Sequence, residues 1–410
     1  MGEAGGLMER HSIRVPLDWL AAASAQGRAL GSGDEHPRTS APRLPQELEL
    51  AAHRWPCANP QTDPIFFLVG GPGEHPRPYL EHPPFQEALA QFAQVADLWL
   101  IDQRGTGDSA GPLAGKIDLT PPPEAYSADL WSPTREAITH EIAARELNPT
   151  HWNALQSAHD LVAWADHLGT DRVNLLALSY GTHLSQHLMN LAPDRVAKAV
   201  FGGFEGLDQT FKLPANTDAV LARHGETFHH RVRKALEADV PGLSREARQI
   251  WIASMVGMSN RFKHLDRILT GLAGGSLEGL ERDLAGFKKL WQRPLTFYLF
   301  DAASGASADR WREIEKQAPN SLLGWGPNFP FRGPEPGWPT SKMGVSQEPI
   351  PHPILVFTGE WDAFTPDLNV PRDWPRLLHR PLQGAFHNDF LAREEFVRAG
   401  VEFFVTQMGA

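Results

Sequence analysis

Residues 173–182, with the sequence VNLLALSYGT, decide the fold of this chain. The apolar run 173–178 is typical of a buried parallel strand. Ser179 follows at once, and residues 182–191 are compatible with a helix. A strand, a sharp turn carrying a serine and a helix together make the layout of a nucleophile elbow. A serine that only caps a helix after a strand gives the same pattern, so this stretch alone leaves both interpretations open.

The rest of the chain repeats the alternation of strand and helix. Amphipathic helices are predicted between apolar segments that have the length and composition of buried strands. These segments are residues 64–69, 96–101, 195–203 and 354–358. The alternation predicts an α/β fold with a mostly parallel central sheet.

The alternation stops between residues 207 and 349. Here successive amphipathic helices are predicted, one of them spanning 217–237, before a run rich in Gly, Pro and Trp. We therefore predict a core built from residues 1–206 and 350–410, interrupted by a helical cap insertion over residues 207–349. Residues 111–149 are rich in proline, and we expect a long excursion from the core there.

An acid and a histidine follow Ser179 in the chain, and both lie where a strand ends. Asp362 comes just after the strand 354–358, and His387 precedes the last predicted helix. Ligand sites of open α/β sheets lie beyond the carboxyl ends of the strands. The order serine, acid, histidine is that of the α/β hydrolases. Glu360 and Asp389 are alternative acids, since both lie near the same strand end or the histidine.

These three residue types suit nucleophilic catalysis. A serine hydroxyl is a weak nucleophile at neutral pH and needs an adjacent base. His387 could accept the proton of Ser179 and later deliver it to the leaving group. Asp362 would hold the imidazole in the correct tautomer and stabilise its protonated form. We expect these residues to form a catalytic triad.

A fourth strand end carries the glycine-rich turn Gly70–Gly73. A turn with few Cβ atoms lets backbone N–H groups approach an oxyanion. We expect the N–H groups of Gly71 and of Tyr180, the residue after the serine, to form an oxyanion hole. An ordinary Gly/Pro loop is the alternative interpretation.

Composition limits the classes of partner. The 410-residue chain has a net charge of −11 and a single cysteine, Cys57. A negative charge disfavours nucleic acid and anionic membrane surfaces as partners, and no window approaches the roughly 20 apolar residues that span a bilayer. The first 20 residues lack the apolar core of a signal peptide, so we expect a cytoplasmic protein. No metal-ligand spacing or dinucleotide fingerprint is present, and we expect no cofactor.

Several motifs together resemble those of the proline iminopeptidase and tripeptidyl aminopeptidase group of α/β hydrolases. They are GGPG at 70–73, DQRGTGDS at 102–109, LSYGT at 178–182, and GEWD at 359–362 followed by Thr365 and Pro366. The resemblance implies an α/β-hydrolase fold, the triad Ser179, Asp362 and His387, and a cap that shapes the substrate pocket. It also implies hydrolysis that releases an N-terminal residue or short peptide.

Two positions depart from the group's pattern: Val69 replaces a frequent histidine, and Ala177 replaces a usual glycine. Aminopeptidases of this group bind the free α-amino group of the substrate with carboxylates. Glu205, just after the strand that follows the elbow, is our candidate, although it could instead serve a helix start or a salt bridge. The favoured substrate is a small peptide. An esterase, lactonase or amide hydrolase acting on a small metabolite is the alternative, followed by a catalytically silent binding module.

Overall fold

The structure is a computed structural model. It describes residues 8–25, 46–127, 131–207, 214–289, 292–294, 299, 316–324, 349–367 and 370–407. The strands are β1 (Glu9–Pro16), β2 (Glu47–Trp55), β3 (Ile65–Leu68), β4 (Leu98–Ile101), β5 (Lys116–Asp118), β6 (Val173–Leu178), β7 (Val196–Gly202), β8 (Gln292–Pro294), β9 (Ile354–Gly359) and β10 (Leu377–Leu382).

Eight of these strands form one sheet in the order β1-β2-β4-β3-β6-β7-β9-β10. β2 runs antiparallel to both of its neighbours, whereas every pair from β4 to β10 in that order is parallel. The predicted α/β class with a mostly parallel sheet is confirmed. β5 and β8 pair separately as a short antiparallel ladder.

Helices surround the sheet. Within the described residues they are α1 (Trp19–Ala25), α2 (Arg77–Glu81), α3 (Pro83–Ala93), α4 (Trp131–Ala144), α5 (Ala154–His167), α6 (Tyr180–Leu191), α7 (Pro214–Arg223), α8 (Glu226–Glu237), α9 (Arg245–Val256), α10 (Ser259–Ala273), α11 (Glu281–Lys288) and α12 (Glu394–Val405). We call residues 214–289, which hold α7 to α11, the cap segment. Among these helices, none has the length and apolar character needed to cross a bilayer.

Side chains of β6 alternate between two apolar layers, one on each face of the sheet. Leu175 and Ala177 belong to the layer that also contains side chains of α5, α6 and the cap segment. Leu176 and Leu178 belong to the opposite layer, formed with α3 and α12. Burial on both faces explains why this strand is apolar throughout. Ala177, one of the two departures noted above, is fully buried and its methyl group packs in the core.

Two helical regions outside the sheet were not predicted as they are, and one of them corrects an expectation. The proline-rich stretch contains α4, because Pro133 lies in the first turn of the helix, where its missing N–H removes no helical hydrogen bond. The single helix expected over 217–237 is two helices, α7 and α8. The break falls at Gly225, whose φ of +87° is incompatible with a continuous right-handed helix. The Gly/Pro/Trp-rich run near residues 325–348 lies outside the described residues.

Candidate active site

Ser179 lies in a strained turn between β6 and α6. Its φ of 50° and ψ of −122° are rare for a residue with a side chain. The turn is held by hydrogen bonds from Ser179 N–H to the Gly202 carbonyl at 2.9 Å and from Thr182 Oγ1 to the Ser179 carbonyl at 2.7 Å. A Cβ on Gly181 would lie 2.2 Å from the Leu68 carbonyl oxygen, so only glycine fits after the turn. This geometry is that of a nucleophile elbow.

The structure brings Ser179, His387 and Asp362 into one hydrogen-bonded chain. Ser179 Oγ lies 2.9 Å from His387 Nε2, and His387 Nδ1 lies 2.9 Å from Asp362 Oδ2. A carboxylate can only accept, so Nδ1 carries the imidazole proton and Nε2 accepts from the serine hydroxyl. These residues lie 208 and 25 positions apart in the sequence, and three strand ends bring them together.

Asp362 is fully buried, and four hydrogen bonds hold its carboxylate. Oδ1 accepts from the N–H groups of Phe364 and Thr365, both at 2.8 Å. Oδ2 accepts from His387 and from Thr365 Oγ1, the latter at 2.6 Å. Burial raises the pKa of Asp362, but the charge of His387 and the hydrogen bonds from His387 and Thr365 outweigh burial and bring the pKa below its ordinary value. The carboxylate is therefore ionised at neutral pH.

The two alternative acids are engaged elsewhere. Glu360 Oε2 accepts from the N–H of Gly384 at 2.7 Å. Asp389 Oδ2 accepts from the N–H of Phe386 at 3.1 Å and turns the backbone around the histidine. Both carboxylates stabilise the loop that carries the histidine, whereas Asp362 contacts the imidazole itself.

The glycine-rich turn lies directly beside the serine. A Cβ built on Gly70 would be 3.0 Å from Ser179 Cβ, which places the next residue, Gly71, at the edge of the same site. Tyr180 is the first residue of α6, so its N–H lies at the positive end of the helix dipole. The two residues expected to form an oxyanion hole therefore flank Ser179 from two different segments.

The backbone of Glu205 is fixed against the polar face of α6. Its N–H donates to Thr182 Oγ1 at 2.8 Å, and its carbonyl accepts from Gln186 Nε2 at 2.7 Å. His183 Nδ1 lies 3.2 Å from the carbonyl oxygen of Gly206. Glu205 is buried, with 3% of its surface exposed. These contacts hold the chain where it leaves β7 for the cap segment.

Three carboxylates affect the titration of His387. Burial lowers its pKa, but the charge and hydrogen bond of Asp362 raise it, and the negative charges of Glu205 and Glu74 add to the rise. The net pKa of His387 lies above its ordinary value of 6.5. Glu74, which follows the glycine-rich turn, accepts a 3.3 Å hydrogen bond from the Tyr79 hydroxyl. Glu74 was not predicted from the sequence, although its position immediately after Gly73 was a usable signal.

The motif at 102–109 has a structural role. Arg104 is fully buried and makes a bidentate pair with Asp160, at 2.7 Å from Nε and 2.6 Å from Nη2. Arg104 Nη1 donates to the carbonyl groups of Leu17 and His151, at 2.9 and 2.8 Å. Trp19 Nε1 donates to Asp160 Oδ1 at 2.8 Å. Arg104 thus ties the segment after β1 to α5.

One group of potential metal ligands exists within the described ranges. The ligand atoms of His53, Asp102 and Asp108 lie within 4.8 Å of one another. Asp108 is already paired with two guanidinium groups, those of Arg10 and Arg77, both at 3.4 Å. Asp102 Oδ2 accepts from the Asp108 N–H at 2.7 Å. Neighbouring cations compensate this acidic cluster, which makes it a poor site for a metal ion.

Comparison with known proteins assigns the family. A profile of the alpha/beta hydrolase fold family matches residues 63–393, more than half of the chain. The chain belongs to this family, in agreement with its eight-stranded, mostly parallel sheet. A search of curated protein sequences finds no match.

Three solved structures illustrate the similarity. The chain is similar to Est816, described as an N-acyl homoserine lactone degrading enzyme, with 17% identity and a TM-score of 0.43 over 87% of this chain and 97% of that one. MGS-M2, an alpha/beta hydrolase from a Medee basin deep-sea metagenome library, has 13% identity and a TM-score of 0.45 over 88% and 96%. A proline iminopeptidase-related protein from Thermus thermophilus has 17% identity and a TM-score of 0.39 over 87% of this chain and 93% of that one.

Proposed function

We propose that the protein is a serine hydrolase in which Ser179 is the nucleophile, His387 the general base and Asp362 the residue that orients the base. The observation that supports this most strongly is the hydrogen-bonded chain from Ser179 Oγ through both nitrogens of His387 to Asp362, with both links at 2.9 Å. We also propose that the insertion at residues 207–349 forms a cap over this site.

Acylation follows from the positions of these atoms. Ser179 Oγ attacks the carbonyl carbon of the substrate while its proton passes to His387 Nε2. The resulting imidazolium is stabilised by the buried carboxylate of Asp362. The carbonyl oxygen becomes an oxyanion, for which the N–H groups of Gly71 and Tyr180 are the donors. Collapse of this intermediate breaks the bond to the leaving group, which takes the proton from Nε2.

Deacylation repeats the sequence with water. A water molecule attacks the ester carbonyl of the acyl-enzyme and gives its proton to His387 Nε2. The bond to Ser179 Oγ breaks, the serine recovers the proton, and the carboxylic acid leaves. The cycle uses Ser179, His387, Asp362, the two N–H donors and one water molecule.

We further propose that the substrate is a peptide or aminoacyl amide with a free N-terminus, and that Glu205 binds its ammonium group. The carboxylate of Glu205 acts on the charge of His387 and belongs to a buried residue, where an ion pair is screened little by solvent. Glu74, which follows the glycine-rich turn, adds a second negative charge near His387. Both charges favour a cationic acyl group over a neutral one.

The substrate class can be tested with matched chromogenic substrates. The substrates are arylamides of proline and of other amino acids, each with a free amine or with an N-acetyl group. We expect kcat/KM to be about 100-fold higher for the free-amine form, because a desolvated charge pair contributes roughly 3 kcal/mol. Equal rates for the two forms would contradict an ammonium site.

Short acyl esters of p-nitrophenol separate the alternative function. An esterase or lactonase would cleave these esters efficiently and leave the free-amine arylamides intact. Tight binding of a small molecule without turnover of any ester or amide would instead indicate a silent binding module.

A further inference from the structure

Residues 257–259, which lead from the end of α9 into the first residue of α10, contact the loop that carries His387. We call them the α9–α10 turn. The backbone N–H of His387 donates to the Gly257 carbonyl at 2.9 Å. Two residues further on, the N–H of Ser259 donates to Asn388 Oδ1 at 3.0 Å. Ser259 Oγ donates to Asp389 Oδ1 at 2.5 Å. Three consecutive residues, 387–389, therefore form hydrogen bonds with the α9–α10 turn of the cap segment.

The same turn lies against the loop that carries Asp362. A Cβ on Gly257 would lie 2.6 Å from the ring of Phe364 and 3.0 Å from the N–H nitrogen of Ala363. The Phe364 ring is in turn 5.1 Å from the His387 ring, centroid to centroid. The turn thus contacts both loops on which the histidine and its acid lie.

A second contact ties the end of α7 to the acid loop. Arg223 donates to Asp367 Oδ1 at 2.7 Å and to the Glu360 carbonyl at 3.2 Å. His224 stacks on Trp361 with ring centroids 4.3 Å apart. Burial lowers the pKa of His224 to about 4, so the stacked ring is neutral at physiological pH. The α9–α10 turn and the end of α7 therefore both contact the loops that carry His387 and Asp362.

We propose that the α9–α10 turn positions His387 and that Ser259 is a positioning residue for this histidine. The proposal rests on the proposed role of His387 as the base. His387 belongs to a loop, whose atoms are held only by the contacts they make. The α9–α10 turn forms hydrogen bonds with the N–H of His387 and with the side chains of the next two residues. Loss of these hydrogen bonds would let the base move away from Ser179.

The test replaces Ser259 by alanine, with Ser254→Ala as the matched control. Ser254 is also half-buried, and among the described residues its hydroxyl donates only to the carbonyl of Trp251 in its own helix, at 2.7 Å. We expect Ser259→Ala to lower kcat about tenfold for ester and amide substrates alike, since a small displacement of a catalytic group costs this much or more. KM should stay unchanged, and Ser254→Ala should match the wild type in both constants.

The rate of labelling by a small fluorophosphonate gives a second readout. This reagent needs the serine and its base but little of the substrate pocket. Ser259→Ala should label about tenfold more slowly, and Ser259→Thr, which keeps a hydroxyl, should recover most of the rate. Labelling at the wild-type rate, or a change confined to KM, would overturn the positioning role and make the turn a wall of the pocket.

Asn388→Ala provides a reciprocal variant in case Ser259→Ala folds poorly. Both substitutions remove the hydrogen bond from Ser259 Oγ to Asn388 Oδ1 at 3.2 Å, and each also loosens a further contact between the same two segments. The loss of activity in the double variant should therefore be smaller than the two single losses combined. Additive losses would contradict the proposal. A wild-type protein that does not react with fluorophosphonate at all would instead refute the proposed function, and that failure is seen before any variant is made.

Discussion

The hydroxyl of Thr365 donates a 2.6 Å hydrogen bond to Oδ2 of Asp362, the oxygen that also accepts from His387. Thr365 Oγ1 lies 3.2 Å from His387 Nδ1 as well. The threonine therefore contacts both partners of the acid–base pair. Because Thr365 is buried, no water can replace its hydroxyl without a rearrangement.

Replacement of Thr365 by valine removes this hydroxyl and keeps the shape of the side chain. We expect kcat to fall roughly tenfold, since hydrogen bonds to charged groups contribute about 1.5 kcal/mol or more and each 1.4 kcal/mol of barrier is a factor of ten. Thr365→Ser should retain most of the activity. Steady-state kinetics on one substrate compares the three proteins.

Thr217→Val is the control for that substitution. Thr217 is also buried, but it lies in the cap segment and its hydroxyl has no hydrogen-bond partner among the described residues. An equal loss of activity in both variants would show that the effect of Thr365→Val comes from packing.

The pH profile of kcat/KM should reflect the raised pKa of His387. Only neutral imidazole can accept the serine proton, so activity falls as the pH drops through this pKa, and the acidic limb should lie above pH 6.5, its ordinary value. Glu74→Gln removes a negative charge that stabilises the imidazolium, and the limb should move to lower pH. Glu87→Gln, an exposed charge on α3, should leave the profile unchanged. A limb that moves upward in Glu74→Gln would contradict this account of the site's electrostatics.

Substrate preference should depend on Glu205. At a pH on the plateau of the profile, Glu205→Gln should lower kcat/KM for free-amine arylamides about 100-fold, because the ammonium group loses its buried partner. The same variant should cleave a short acyl ester at close to the wild-type rate, since that substrate has no ammonium group. A parallel loss on both substrates would assign Glu205 a structural role instead.

Stability should depend strongly on the buried pair of Arg104 and Asp160. Asp160→Asn leaves the guanidinium buried without its counter-charge, and we expect a loss of about 3–5 kcal/mol in the free energy of unfolding. Asp166→Asn removes the partner of Arg195 on the surface, where Asp166 is 62% exposed, and should cost less than about 1 kcal/mol. Urea unfolding measures both variants, and equal losses would contradict the distinction.

Much of the sheet was predictable because its strands are apolar and end in glycine, serine or acidic residues. β6 matches its predicted bounds, since burial on both faces leaves an uninterrupted apolar run. The helix α4 was not predictable from a proline-rich composition, because proline costs nothing in a first turn. The break at Gly225 was visible as a glycine, but glycine is also tolerated within helices.

The residues of the site also divide into those that the sequence could predict and those that it could not. Ser179, Asp362 and His387 could be nominated because each follows or precedes a strand or helix with a recognisable pattern. The distance of Asp362 past the strand favoured it over Glu360 and Asp389, because that distance leaves room for the loop to reach the histidine. Spacing alone could not show which carboxylate contacts the imidazole, because all three acids lie in the same two loops. Contacts such as Ser259 with Asp389 join segments 130 positions apart and leave no local signature in the chain.

The measurement that tests the central claim most directly is the site of covalent labelling. The protein is treated with a fluorophosphonate and digested, and the modified residue is located by mass spectrometry. We predict one adduct, on Ser179, that is absent from Ser179→Ala and formed at the wild-type rate in Ser185→Ala, whose hydroxyl lies in the same helix and donates to the Gly181 carbonyl at 2.8 Å. An undiminished adduct in Ser179→Ala, or an adduct on another serine, would contradict the assignment of Ser179 as the nucleophile.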